Sequence, residues 1–293
     1  MAVSSNEQAR PAEDQLTWER RWAPRVGLAA FGAAAFMVGS FLVQLPLLRD
    51  RTKNEADTLR SVHKHVSGYV AGGALQLVSM LFIVVVLWYL YRAAKHRRPQ
   101  TPAIAIVLGI AGPIIFGVAG AIGPFVVKHY AAEFAAGANQ SNQHAKDLVS
   151  GSAAAAFGII TPAAGLAFAF AMIMTNVNAM RAGLVSTFVG ILGVIGGLLF
   201  VLPLGPPQLL IFFWLLSIGV VVLDRWPGGR GPAWASGEAE KWPSAMERRM
   251  GPRAGASAQS SELSAQTQDP EEEPTPSQSR TSRKRKRKQG RKH

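Results

Sequence analysis

The chain has 293 residues, 48% of them apolar, and a net charge of +13. The apolar share is ordinary for a globular protein, but it is concentrated in residues 26–223, and 15 of the 31 Lys and Arg lie beyond residue 223. A uniformly basic globule is therefore excluded, and the absence of cysteine excludes disulfides, thiolate metal sites and Cys nucleophiles.

Residues 1–25 read as a short, mobile N-terminal arm. They make a poor secretory signal, because the apolar run that follows comes late, lasts long and ends in no small-residue cleavage pattern. Trp18 and Trp22, set among Arg20, Arg21 and Arg25, suit a membrane–water boundary. The first charge-free run, 26–48, is long enough for one membrane span. The loop 49–65 carries Leu48, Thr52, Ala56, Leu59, Val62 and Val66 at three- and four-residue spacing, which predicts a helix with a weakly apolar face. A second span follows over 66–91, closing on Trp88, Tyr89 and Tyr91, and then the cationic cluster Arg92–Arg98.

The third span, 103–127, contains Gly109, Gly112, Pro113, Gly117, Gly120, Gly123 and Pro124. Close helix packing is the plain reading of such small residues. A broken helix lining a substrate cavity is the functional one. The loop 128–147 reads as a helical overhang, a Gly/Asn break at 137–142 and a lead into the fourth span, 151–176, where Thr161-Pro162 marks a second candidate kink.

Ala182–Leu223 holds 42 residues without Asp, Glu, Lys, Arg or His. As one helix it would be about 63 Å long, roughly twice the ~30 Å hydrocarbon core. Three prolines between 203 and 207 cannot continue a helix, so the run predicts two spans, 182–202 and 208–223. In the first of them Gly193-x-x-x-Gly197 is a helix-contact pattern.

With the N-terminus inside, the inner segments carry 24 Lys and Arg against 7 outside, or 9 against 7 without the long tail. The compact 92–98 cluster, flanking two spans, weighs most in placing both termini in the cytoplasm. Residues 224–244 form a Trp-rich juxtamembrane segment, with Trp226, Trp234 and Trp242 read as packed on the inner end of the bundle. Residues 245–293 read as a disordered basic tail ending in six consecutive cations, Arg283–Lys288. Anionic lipid headgroups are its expected partner. Specific nucleic-acid recognition is not expected, because no folded module or aromatic platform accompanies the cations.

Arg230-Gly-Pro-Ala-Trp234, Gly237-Glu-Ala239 and Trp242-Pro-Ser244 together resemble the ending of a group of uncharacterised actinobacterial multi-span membrane proteins. The resemblance covers the last spans and about 20 residues beyond them. It implies a bacterial plasma membrane and no particular chemistry.

No ionisable side chain falls at mid-span. Gln76, Ser79, Thr161, Ser186, Thr187 and Ser217 are the polar residues read there, in the role of hydrogen bonding between helices. Four histidines, His63, His65, His129 and His144, sit in the two outer loops with Glu55, Asp57, Glu133 and Asp147. His129 and Glu133 are four apart and His144 and Asp147 three apart, so each pair shares a helix face. The spacing matches no metal motif, and solvated loop residues are the expectation. No catalytic, cofactor-binding or metal-ligating residue is assigned.

The expected fold is an all-α, polytopic membrane helix bundle with six transmembrane helices and a disordered cytoplasmic C-terminal tail. The expected function is a non-catalytic membrane protein acting through helix packing, a partner, lipid or copies of itself. The alternative is a transporter or permease for a small uncharged solute. A polar cavity bordered by Gln76 and Thr161 would favour transport, and a sealed apolar bundle would favour association.

Overall fold

The computed structural model describes residues 5–50, 54–150, 153–201, 207–227 and 229–242. Every regular element among them is helical: α1 (Ser5–Asp50), α2 (Glu55–Lys64), α3 (Val66–Arg97), α4 (Ile104–Ala136), α5 (Asn142–Ser150), α6 (Ala153–Arg181), α7 (Thr187–Val201), α8 (Pro207–Val222) and the single turn α9 (Ala233–Ser236). Stretches of α1, α3, α4 and α6 are long and apolar enough to cross a membrane. α7 and α8, at 15 and 16 residues, reach about 22–24 Å each.

The six longest helices close a ring in chain order. α1 packs on α3, α3 on α4, α4 on α6, α6 on α7 and α7 on α8, and α8 returns to α1, while α3 and α6 also touch across the middle. Short connections make chain neighbours spatial neighbours. The outward faces are apolar, with Leu28, Leu42, Val107, Ile122, Ile159, Leu166, Phe188 and Phe213 all exposed. Water-soluble surfaces rarely carry so much exposed apolar area, and a hydrocarbon surround requires it.

Inside the ring the packing is close because small residues face each other. Ala23, Ala29, Ala30, Ala33 and Ala34 of α1 are buried against Ile83, Val86, Leu87 and Leu90 of α3. Two hydroxyls tie this pair: Ser79 Oγ donates to the Ala33 carbonyl at 2.9 Å and Ser40 Oγ to that of Gly72 at 2.8 Å. A Cβ on Gly73 would run into the Gly120 carbonyl, and one on Gly112 into the Phe168 backbone, so these glycines set the α3–α4 and α4–α6 distances.

Three expectations are corrected. Residues 5–25 are no mobile arm but the start of α1, which is a single helix to Asp50. Their Glu19 and Ala23 are buried, and that burial holds the helix down. The predicted span over 182–202 begins later, at Thr187. Ala182–Ser186 is a turn in which Gly183 has φ +72° and the Leu184 N–H returns to the Ala179 carbonyl at 2.9 Å. Pro113, Pro124 and Pro162 break neither α4 nor α6, both of which run through them, since helix neighbours hold the backbone where the proline leaves a carbonyl unpaired. The tail 245–293 lies outside the described residues, as does the turn at 202–206.

A candidate binding cavity inside the helix ring

The two ends of the ring are built differently. At one, here the tryptophan end, the first turns of α1, the last turn of α3, the α6–α7 turn and the segment after α8 converge. Arg97 donates through Nη1 and Nη2 to the two carboxylate oxygens of Glu19, at 2.6 and 2.9 Å, and both side chains are essentially without solvent exposure. The same guanidinium donates to the Ala233 and Ala93 carbonyls. Gln15 Nε2 donates to Glu19 Oε1, the Tyr89 hydroxyl to the Glu19 carbonyl, and Trp234 Nε1 to the Leu184 carbonyl. Trp18, Tyr89 and Trp234 stack in sequence at 5.4 and 5.8 Å between ring centroids, with Trp88 set edge-on against Trp18. A buried ion pair is tolerated only when its remaining donors and acceptors are also met, and this one has them met.

The opposite, short-helix end carries α2 and α5. Asn142 of α5 accepts from the Glu55 and Ala56 N–H groups at 2.9 and 3.3 Å, giving α2 a cap from a distant part of the chain. Asn54 adds a local cap by accepting from the Asp57 N–H. Arg60 pairs with Asp57 and donates to the Gln140 carbonyl, so the two loops lie together. Ala56, Leu59 and Val62, the apolar face read from spacing, are buried with Leu47, Phe134 and Ala145.

Two of the outer-loop histidines sit against aromatic rings. His144 stacks on Phe134, and His129 sits edge-on to Tyr130. Among the described residues no group of three His, Cys, Asp or Glu side chains lies close enough to hold a metal ion.

Between the two ends, on the short-helix side of the ring, lies a cavity of about 450 Å³ to which all six ring helices contribute. That volume falls within the range of small-molecule sites. Met37 and Gln44 come from α1, and Tyr69, Gly73, Gln76 and Met80 from α3. α4 supplies Phe116, Gly120, Gly123, Pro124 and Val127, and α6 supplies Phe157, Gly158 and Thr161, with Phe200 and Ile211 at the ends of α7 and α8. No Asp, Glu, Lys, Arg or His lines it.

The cavity exists because side chains are missing where the helices have room. A Cβ at Gly158 would meet nothing within 4 Å, and at Gly120 and Gly123 it would make only ordinary contact, at 3.8 Å from Gln76 and Phe157. Phe200 closes the floor, edge-on to Phe116 at 5.3 Å and to Phe168 at 5.0 Å. Below it the ring is filled. There Trp214 Nε1 donates to Asn176 Oδ1 at 2.8 Å, and Asn176 Nδ2 donates to the Met172 carbonyl at 2.8 Å.

Two lining groups stand out by having no partner. Gln44 is held by Ser40, donating to its carbonyl and its hydroxyl. The half-buried Gln76 amide and Thr161 hydroxyl make no hydrogen bond to any described residue. An amide without a partner away from water costs several kcal/mol, on the order of 2–7 by the choice of reference, so the cavity must offer these groups water or a polar ligand.

A second hollow of about 180 Å³, edged by Glu55, Thr58 and Leu59 of α2, shares Tyr69 and Val127 with the main cavity. These two residues therefore form a neck between the short-helix end and the interior.

Gln76 and Thr161 were readable as mid-span polar residues, and the structure brings them to one cavity. Ser186 instead caps α7, accepting from the Val189 N–H at 3.4 Å. Ser40, Gln44 and Asn176 were missed, although Ser40 and Gln44 sit four apart in the first span and Asn176 in the last turns of α6, where an amide among apolar residues is itself the signal.

A closed ring of apolar helices with a hollow centre and an apolar outer surface defines a membrane-type helical bundle. The chain belongs to a family described as a domain of unknown function (DUF4386), whose pattern matches residues 27–220. That range holds every residue lining the cavity and leaves Glu19 and Trp234 of the tryptophan end outside it. Neither curated proteins nor solved structures give a match.

Proposed function

We propose that this is a multi-pass protein of a bacterial plasma membrane that takes up a small uncharged solute in the ring cavity and passes it through the bundle. The observation that carries the proposal is the pair Gln76 and Thr161, facing about 450 Å³ of space without a partner among the described residues. A membrane protein acting only by packing and association has no use for an unpartnered amide among its helices, whereas a solute carrying a carboxamide, carbonyl or hydroxyl group would satisfy it. A charged solute would find no counter-charge in the lining, at a high cost inside a membrane. Phe116, Phe157 and Phe200 supply the apolar walls. No catalytic role is proposed.

In this reading α7 and α8 complete six spans, so both termini lie on one side. The cation-rich tryptophan end faces the cytoplasm and the neck at Tyr69 and Val127 opens outward. The tail beyond residue 244 is proposed to rest on anionic lipid. Because the chain is free of cysteine, single cysteines report the topology: those at Asp57 and Gln140 label with an impermeant thiol reagent in intact cells and one at Lys95 does not, while the reverse pattern would invert the assignment.

The test of transport is stopped-flow light scattering on proteoliposomes challenged with acetamide or glycerol. The proposal expects faster equilibration of at least one of them than in empty vesicles, and its loss in Gly158→Leu, whose side chain fills the open space. Rates equal to those of empty vesicles for both probes would refute it.

A further inference from the structure

A second hollow, of about 390 Å³, lies on the flank of the tryptophan end and is lined by Gln15 of α1, Trp88, Tyr91, Arg92, Lys95 and His96 of α3, and Ile106 of α4. The geometry points to a binding site there for the phosphodiester headgroup of an anionic phospholipid. This site is separate from the ring cavity, and its test does not depend on the solute reading.

Charge is the first support. Arg92, Lys95 and His96 occupy positions i, i+3 and i+4 of α3 and so present to one face, and the lining contains no carboxylate. Glu19, four residues from the lining Gln15, has both oxygens committed to Arg97. Arg92 makes no ion pair or hydrogen bond with any described residue, and its guanidinium carbon lies over Trp18, 4.0 Å from the ring centroid. That cation–ring contact favours this direction while leaving its five N–H donors unspent. Lys95 uses two donors on the Pro99 and Thr101 carbonyls, at 2.6 and 2.9 Å. Those bonds hold the α3–α4 turn and leave its charge uncompensated and one donor over.

Position is the second support, and it selects a lipid over a free phosphate. Trp88 and Tyr91 are the amphipathic rings that sit at headgroup level. Ile106 leads onto the exposed apolar flank of α4, where Ile104, Val107 and Ile110 face outward. An acyl chain has that flank to lie along and a soluble phosphate gains nothing from it. Basic pockets between helices at this level are suited to anionic headgroups.

The experiment uses the full chain, stripped of lipid in detergent and titrated with phosphatidylglycerol or phosphatidylcholine, with bound lipid counted by native mass spectrometry. High salt screens diffuse attraction to the cationic run at 283–288. The site predicts that phosphatidylglycerol is retained over phosphatidylcholine. Arg92→Gln should lower that retention about fivefold, Arg92→Lys should keep most of it, and Lys95→Gln, as an independent variant, should lower it to a similar degree. Equal retention of the two lipids, or retention in both Gln variants matching the parent chain, would overturn the assignment. Glycerol phosphate added as a competitor separates the sources: failure to displace the lipid supports a lipid site, and displacement with no preference between lipids would assign the hollow to a free phosphate and overturn the lipid reading.

Discussion

At the tryptophan end Glu19, Arg97, Tyr89 and Trp234 each find a partner from another part of the chain, whereas in the short-helix half Gln76 and Thr161 find none among the described residues. Both regions lie within the same ring and both are bordered by aromatic side chains. They differ in what the helices do with space. At Gly73 and Gly112 small residues bring backbones together until nothing fits between them. Gly120, Gly123 and Gly158 instead leave room for a side chain. Small residues thus serve opposite ends in one bundle, and what an added Cβ would meet tells the two uses apart.

The contrast predicts mutational effects of different size. Glu19→Ala leaves the Arg97 guanidinium buried and unpaired, which should cost about 3–5 kcal/mol and show as a large fall in melting temperature in detergent. Replacing both partners by apolar residues of similar volume should recover much of that loss. Gly73→Ala, forced against the Gly120 carbonyl, should cost about 1–3 kcal/mol in the same assay. Asn142→Ala, which removes the distant cap of α2, should cost about 1 kcal/mol and raise amide exchange at Glu55 and Ala56 selectively. Gly158→Ala, in open space, should stay within about 0.5 kcal/mol of the parent. Were Gly158→Ala as damaging as Gly73→Ala, the distinction between close-packed glycines and those facing open space would be lost.

Much of this was legible along the chain. Charge-free runs gave the apolar helices, and the three- and four-residue recurrence of Ala56, Leu59 and Val62 gave the buried face of α2. Gly137 ended α4 where the Gly/Asn break was expected. What could not be read was anything settled by distant partners. Glu19 and Arg97 are 78 positions apart, and among other surface charges Glu19 reads as one more solvated residue of an arm. Periodicity has no access to such a pair. Gly73 and Gly158 are likewise the same letter, and only the neighbouring helix decides whether the missing side chain means contact or cavity. The Gly/Pro content of α4 did point to the cavity wall, though by room left between intact helices rather than by a broken one. The outer histidines show the opposite case: a suggestive set on paper, of which His129 and His144 go to separate ring contacts.

Thiol accessibility inside the ring is the most direct test of a hollow half and a filled half. In the naturally cysteine-free chain, Thr161→Cys and Thr175→Cys place single thiols on the same helix, one lining the cavity and the other fully buried below it. In membrane vesicles treated with a small water-soluble thiosulfonate, the account predicts that the thiol at 161 is modified readily while that at 175 is not. Protection of 161 to the same degree as 175 would mean that the space beside Gln76 is closed to water and polar solutes, and would contradict it.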